Sequence, residues 1–355
     1  MKKLNFGAGP CILPQSVFEE SAKAVLDFQD QGLSILEISH RSKAFEAVIE
    51  EARSLLLELM GLKETEYVAL FLQGGASLQF AMIPYNFLKT KAAYIDTGVW
   101  SQKAVSEAEN IGKVEIVASS KKEGFTYIPS LESLEADYDY LHLTSNNTIY
   151  GTQFHQFPNV TNIPLIADMS SDIFSTFRDY SAFDLIYAGA QKNIGPAGTT
   201  IVVIKRTLLE EVNALNKFKI LNYAEHVKAD SMLNTPTVFS IYASLLNLRW
   251  LKSKTLAAIY AENTKKAALL YDTLDRYNWL HPYAQKTSRS QMNITFTISE
   301  NSHAELFDSY CNKYDIHGLK GHRLVGGYRA SLYNALTLDS VKRLTEVLDE
   351  VNTHV

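Results

Sequence analysis

Cysteine is almost absent from these 355 residues. Cys11 and Cys311 lie far apart and form neither a disulfide framework nor a metal-ligand spacing. They read as buried or incidental thiols, and no metal site is expected. Near the N-terminus Lys2 and Lys3 are followed by Asn5, Gly7 and Gly9, which break up any signal-peptide core. No apolar run reaches the length that spans a bilayer. Excess positive charge is missing too. A net charge of −5 offers no field to a phosphate backbone and argues against a nucleic-acid binder. Internal repeats and low-complexity segments are not evident. What is present, 46% hydrophobic and 21% charged residues, is ordinary for a globular chain of a length that suits two domains. A cytoplasmic protein of enzyme size is the expectation.

Residues 43 to 60 carry Phe45, Val48, Ile49, Ala52, Leu55, Leu56, Leu59 and Met60 at helical spacing, with Gly61 placed to stop the helix. Apolar, strand-like runs then alternate with helix-like stretches. The strands are expected at 67–72, 92–95, 114–118, 141–144, 165–167, 185–188 and 200–204, with helices near 78–88 and 101–110. That alternation predicts an α/β layer on a mostly parallel sheet, whose ligands gather at the carboxyl ends of strands. Beyond residue 238 the texture changes. Residues 239–277 predict one long helix or two abutting ones, followed by a strand at 292–298, a helix at 304–314, a strand at 328–333 and a helix from Asp339. This is a smaller α+β unit.

The decapeptide Gly189 to Gly198 is the most informative stretch. It places Lys192 among glycines between two apolar strands. Burial there depresses a lysine pKa and frees the amine for Schiff-base chemistry with an aldehyde cofactor; a surface lysine in a glycine-rich turn is the plainer alternative. Asp168 closes the strand before, 24 residues earlier, and can pair with a pyridinium nitrogen or simply cap a helix. Gly74-Gly75-Ala76-Ser77 follows a strand and opens a helix, which suits a phosphate as well as an ordinary tight turn. Trp100 suits stacking on a flat cofactor or a place in the core. Thr148, after the strand at 141–144, can bond a phenolic oxygen or close a polar turn. Two His-Arg dipeptides, His40-Arg41 and His322-Arg323, together with Arg329, suit anionic substrates, although any one of them alone reads as a solvated surface cation. Asn234-Thr235-Pro236-Thr237 is a polar turn before the long helix.

Taken together, these segments resemble the phosphoserine aminotransferase family, in the class V group of fold-type I pyridoxal-phosphate enzymes. The likeness runs from Asn5-Phe6-Gly7-Ala8-Gly9-Pro10 through Ile38 to Ser42, Gln73 to Ser77, Gly189 to Gly198 and Asn234 to Thr237, to Gly321 to Ala335. The resemblance implies a large cofactor-binding domain over 15–250 and a small one from 1–14 and 251–355. It also implies that Lys192 carries pyridoxal 5'-phosphate and that Asp168 holds its ring nitrogen. Trp100 would stack on the ring and Thr148 bond its phenolic oxygen. Ala76, Ser77 and Gln191 would hold the phosphate, joined by Asn234 and Thr235 of a neighbouring subunit in a homodimer with shared active sites. Arg329 would grip the substrate α-carboxylate. His40, Arg41, His322 and Arg323 would receive the distal phosphate or carboxylate. Some members carry arginine where this chain has Ser77, so the distal anion falls here to the remaining cations. The implied reaction is a ping-pong transamination of L-glutamate with 3-phosphohydroxypyruvate. The rivals are an alanine–glyoxylate-type aminotransferase, a cysteine desulfurase and a catalytically silent pyridoxal-phosphate-binding protein. Neither cysteine suits a desulfurase, and alanine and glyoxylate have no distal anion for the His-Arg pairs.

Overall fold

The structure, a computed structural model, describes residues 3–131, 134, 137–213 and 217–354. Its strands are β1 (Leu4–Asn5), β2 (Tyr67–Leu72), β3 (Lys91–Asp96), β4 (Lys113–Ser119), β5 (Leu141–Thr144), β6 (Asn146–Asn147), β7 (Thr152–Gln153), β8 (Leu165–Asp168), β9 (Leu185–Gly189), β10 (Thr200–Lys205), β11 (Leu280–Pro282), β12 (Asn293–Ile298), β13 (Ile316–His317) and β14 (Tyr328–Ser331). The helices are α1 (Gln15–Leu26), α2 (Lys43–Met60), α3 (Gly75–Phe87), α4 (Val99–Glu109), α5 (Arg206–Leu209), α6 (Tyr223–Lys228), α7 (Val238–Lys254), α8 (Leu256–Arg276), α9 (Asn301–Lys313) and α10 (Leu338–Asn352).

Seven strands form the central sheet in the order β2-β10-β9-β8-β5-β3-β4. Its strands read as continuous apolar runs because both faces are covered. Along β2, Val68, Leu70 and Leu72 pack with Phe80, Ile83 and Val105 on one face. Ala69 and Phe71 pack with Val48, Ile49 and Leu248 on the other. Successive side chains of a strand point to opposite faces, so one short run feeds both cores. β4 lies at the sheet edge and alternates between exposed and half-buried positions. Only β10 runs antiparallel to its neighbours. The other six strands therefore deliver their carboxyl ends to one rim of the sheet, where ligands of such sheets collect.

The predicted helix at 43–60 is α2. Its start is fixed by Ser42 Oγ, which accepts from Phe45 N at 3.3 Å. Its end is fixed by Gly61 at φ 69°, with Leu62 N donating to Leu57 O at 3.0 Å. Of the two readings of 239–277, the structure takes two abutting helices. Thr255, at φ 65°, ends α7 and caps α8 by accepting from Ala258 N at 3.3 Å.

A third core joins the antiparallel sheet β11-β12-β14 to α8, α9 and α10. Phe6 belongs to it, and β1 pairs with β13 in parallel through Leu4–Ile316 and Asn5–His317. The chain's first strand thus lies in the C-terminal layer. No helix among the described residues is long and apolar enough to cross a membrane.

Candidate active site

Lys192 occupies the turn between β9 and β10. The turn is cinched by Ala190 N to Thr199 O at 2.9 Å and Gly195 N to Ala190 O at 2.8 Å. α7 presses on it from behind: a Cβ at Gly195 would stand 2.2 Å from Ser244 Oγ, so only glycine fits that approach. Asn247 on α7 also donates to Asn193 O at 2.9 Å. The Lys192 amine makes no hydrogen bond or ion pair among the described residues. Burial lowers its pKa, Asp168 opposes that, and Arg329 adds to it.

Asp168 ends β8 and is buried. Ser170 donates twice to its Oδ1, from N at 2.9 Å and from Oγ at 2.6 Å. Oδ2 takes no bond among the described residues. Burial raises the pKa of this carboxyl, opposed first by Lys192 and then by Ser170. A buried carboxylate with one oxygen unused calls for a cationic donor, and a protonated ring nitrogen meets that need.

Trp100 lies in the first turn of α4, after β3. The Lys192 amine is 5.8 Å from its ring centroid and that of Lys103 is 4.9 Å. Trp100 Nε1 donates to Thr148 Oγ1 at 3.0 Å, and Arg329 Nη1 donates to Thr148 O at 2.9 Å. Thr148 is buried rather than a solvated turn residue, and it joins Trp100 of the large sheet's rim to Arg329 on β14. Burial, then Arg329, Arg323 and Lys103, holds the His322 imidazole below its usual range. His322 therefore lies within electrostatic reach of Arg329, while Arg323 is exposed.

At the end of β2, Gly74 (φ 88°) and Gly75 (φ 67°) turn the chain into α3. Such angles strain any residue with a Cβ. No side chain caps this helix, so the N–H groups around Ala76 and Ser77 are left for an anion. Gln191 curls its amide oxygen over Gly189, where a Cβ would come within 2.6 Å.

The remaining predicted residues gather elsewhere. His40 shares a surface hollow with Ser39, Ala197, Gly198, Thr235 and Phe239. Asn234 and Thr235 are exposed and tied to their own chain's Gln73, by Asn234 Nδ2 to Gln73 Oε1 at 2.7 Å and Gln73 Nε2 to Thr235 O at 2.9 Å. Arg41 is exposed. Within one chain, then, Lys192, Asp168, Trp100, Thr148 and Arg329 converge, with His322 and Arg323 on the loop leading into β14, while His40, Arg41, Asn234 and Thr235 lie apart from them.

Three contributors escaped the sequence reading. Ser170 orients Asp168. Asn193 accepts from Asn334 N at 3.1 Å, and so fastens the lysine turn to the C-terminal layer. Cys11, read as incidental, donates from N to Gln191 O at 3.0 Å and from Sγ to Lys192 O. Only the Gly9-Pro10 turn beside Cys11 hinted at this strap.

The profile of the family Aminotransferase class-V matches residues 3–344. The phosphoserine aminotransferase of Flavobacterium psychrophilum is 55% identical, with 100% of both chains covered. Among solved structures, a phosphoserine aminotransferase studied for radiation damage of its Schiff base superposes with a TM-score of 0.96 at 43% identity, over 100% of both chains. The phosphoserine aminotransferase from Bacillus circulans subsp. alkalophilus gives 0.96 at 42%, over 99% of both.

Proposed function

The chain belongs to the class-V aminotransferases, and from that premise we propose how its cleft transfers an amino group between L-glutamate and 3-phosphohydroxypyruvate, giving O-phospho-L-serine and 2-oxoglutarate. It is a pyridoxal-phosphate-dependent enzyme. The observation that carries the assignment is the Lys192 amine, unpaired, poorly solvated and within electrostatic reach of both Asp168 and Arg329.

When bound, pyridoxal 5'-phosphate supplies an aldehyde that takes up the amino group and a ring that accepts electron density from the substrate's α-carbon. The residues present fit it. Asp168, with Oδ2 unbonded among the described residues, would accept from the protonated ring nitrogen. The N–H groups at the start of α3, with the Ser77 hydroxyl and the Gln191 amide, would hold the phosphate. Trp100 supplies a flat apolar wall. Thr148 Oγ1 already accepts from Trp100, so its own O–H is left to donate to the phenolic oxygen.

Lys192 would hold the cofactor between turnovers, and its free amine would take the proton from the substrate's α-carbon. Its lowered pKa suits this work, because a neutral amine is a base and an ammonium is not. Arg329 receives the α-carboxylate: Nη1 is spent on Thr148 O, and the rest of its donor fork remains for the substrate. His322 and Arg323 receive the distal anion. Burial, and after it the neighbouring cations, disfavours the protonated His322 ring, and a phosphate beside it would draw a proton onto the ring.

His40, Arg41, Asn234 and Thr235 complete the neighbouring site in a homodimer. Their outward position, together with a one-chain cleft that lacks them, supports that reading. The same placement favours a large domain of 15–250 and a small one of 1–14 plus 251–355, since β1 and Phe6 join the C-terminal core. An alanine–glyoxylate-type reaction is disfavoured, because its substrates would leave His322 and Arg323 without a distal anion.

The test compares O-phosphoserine, serine and alanine as amino donors to 2-oxoglutarate. O-Phosphoserine is expected to exceed the other two in kcat/KM by at least about a hundredfold, the value of two charge-assisted bonds. Equal turnover of all three would refute the distal-anion pocket.

A further inference from the structure

Lys266 is fully buried on α8, and no acidic side chain pairs with it among the described residues. Its amine donates instead to three backbone carbonyls: Leu332 O at 3.0 Å, Tyr333 O at 3.0 Å and Leu336 O at 2.9 Å. The count is informative. An ammonium has three N–H groups and no lone pair, so three carbonyls match it one to one. A neutral amine would turn its lone pair against the third.

The turn that Lys266 holds runs directly on from Arg329 and β14. The same turn is grasped from the other side by the lysine loop. Asn334 N donates to Asn193 Oδ1 at 3.1 Å, one residue from Lys192. Asn334 Nδ2 reaches Phe174 O at 3.1 Å, and Asn263 Nδ2, on α8 like Lys266, reaches Asn334 Oδ1 at 2.8 Å. The Tyr333 hydroxyl donates to Ala8 O at 2.8 Å. A stretch of five residues, 332 to 336, therefore links the strand bearing Arg329 to the loop bearing Lys192, and a buried cation gathers its carbonyls.

We propose that Lys266 is a positioning residue for the transamination: its ammonium clamps the 332–336 turn against Asn193 and so sets the spacing between Arg329 and Lys192. Substrate is gripped at one end of that spacing and loses its proton at the other. Burial pushes Lys266 down to about 7, and the charge of Glu262, one helical turn away, opposes that. The three carbonyls work the other way, since each is better satisfied by an ammonium. The inference rests on the reading of Arg329 as the α-carboxylate ligand.

The experiment is Lys266→Met, which keeps length and apolar volume and removes the donors. KM for L-glutamate and for O-phosphoserine is measured with kcat, the visible cofactor band and the melting temperature, and Arg329→Gln is run in parallel. Both KM values are expected to rise together, by about tenfold, and kcat to fall with them, with the cofactor band in place. Unchanged KM values with a lower melting temperature would make Lys266 a structural staple only and overturn the inference. Should Arg329→Gln also leave KM unchanged, the reading of Arg329 fails first, which separates the two failures. If Lys266→Met does not fold, Lys266→Gln, with two N–H donors, carries the test. A partial rise in both KM values supports positioning, and wild-type values refute it.

Discussion

Asp168→Asn separates charge from shape at this site. The amide oxygen still accepts from Ser170 N and Oγ, so β8 and its turn keep their bonds and melting should change little. What disappears is the negative charge. At an effective dielectric of about 20, opposite charges about 4 Å apart attract by about 4 kcal/mol. A neutral amide retains part of that, leaving about 3 kcal/mol on the barrier and a fall in kcat of about 150-fold. The same change removes the main support for Lys192 protonation, leaving only Asp172 and Cys11 against burial and Arg329, so the lysine pKa falls further. Single-turnover loss of the visible band on mixing with glutamate reads the chemical step directly. A rate within tenfold of wild type, in a variant that still binds the cofactor, would mean that Asp168 is no more than a turn residue.

Two further outcomes follow from the same geometry. In Lys192→Ala, borohydride should no longer fix the cofactor to the polypeptide; reduction that still attaches it would place the carbonyl-reactive amine elsewhere. His142, buried in β5 with Nε2 2.9 Å from the Tyr187 hydroxyl, has its pKa lowered by burial to about 3. Between pH 6.5 and about 3 the unfolded chain binds a proton that the folded chain refuses, so stability falls on acidification by up to about 1.4 kcal/mol per pH unit. Urea unfolding at pH 6.5 and 5 should show about 2 kcal/mol of this loss, absent in His142→Gln; an identical pH dependence in the two proteins would contradict it.

Much of the architecture was legible because the sheet is buried on both faces. Continuous apolar runs such as Leu185–Ala188 and Ile201–Ile204 can hardly be anything but central strands, and Gly61 marks its helix end without help. α1 went unread, and β1 and β13, at two residues each, carry no period at all. The chemistry divided in the same way. Lys192, Asp168 and the Gly74-Gly75 turn each follow a strand end, so the topology places them on one rim. Asn193 and Lys266 act through long-range partners, Asn334 and Leu332 among them, that local sequence does not reveal. The division of the cations into an inward group and an outward group also depends on three-dimensional placement, since His40-Arg41 and His322-Arg323 are the same dipeptide.

The single reversed strand has a consequence for how fast the lysine can be put to use. In a wholly parallel layer, β9 would have to be followed by a crossover helix, and Lys192 would ride on a loop with one end in the sheet. Because β10 returns at once alongside β9, the catalytic turn is bracketed by two hydrogen-bonded strands, from Thr200 opposite Gly189 to Ile204 opposite Leu185. Ordering a free backbone costs about 1–2 kcal/mol per residue. Here that cost falls at the moment the sheet forms, once in the life of the molecule, and the amine needs little further ordering of its backbone at each catalytic cycle.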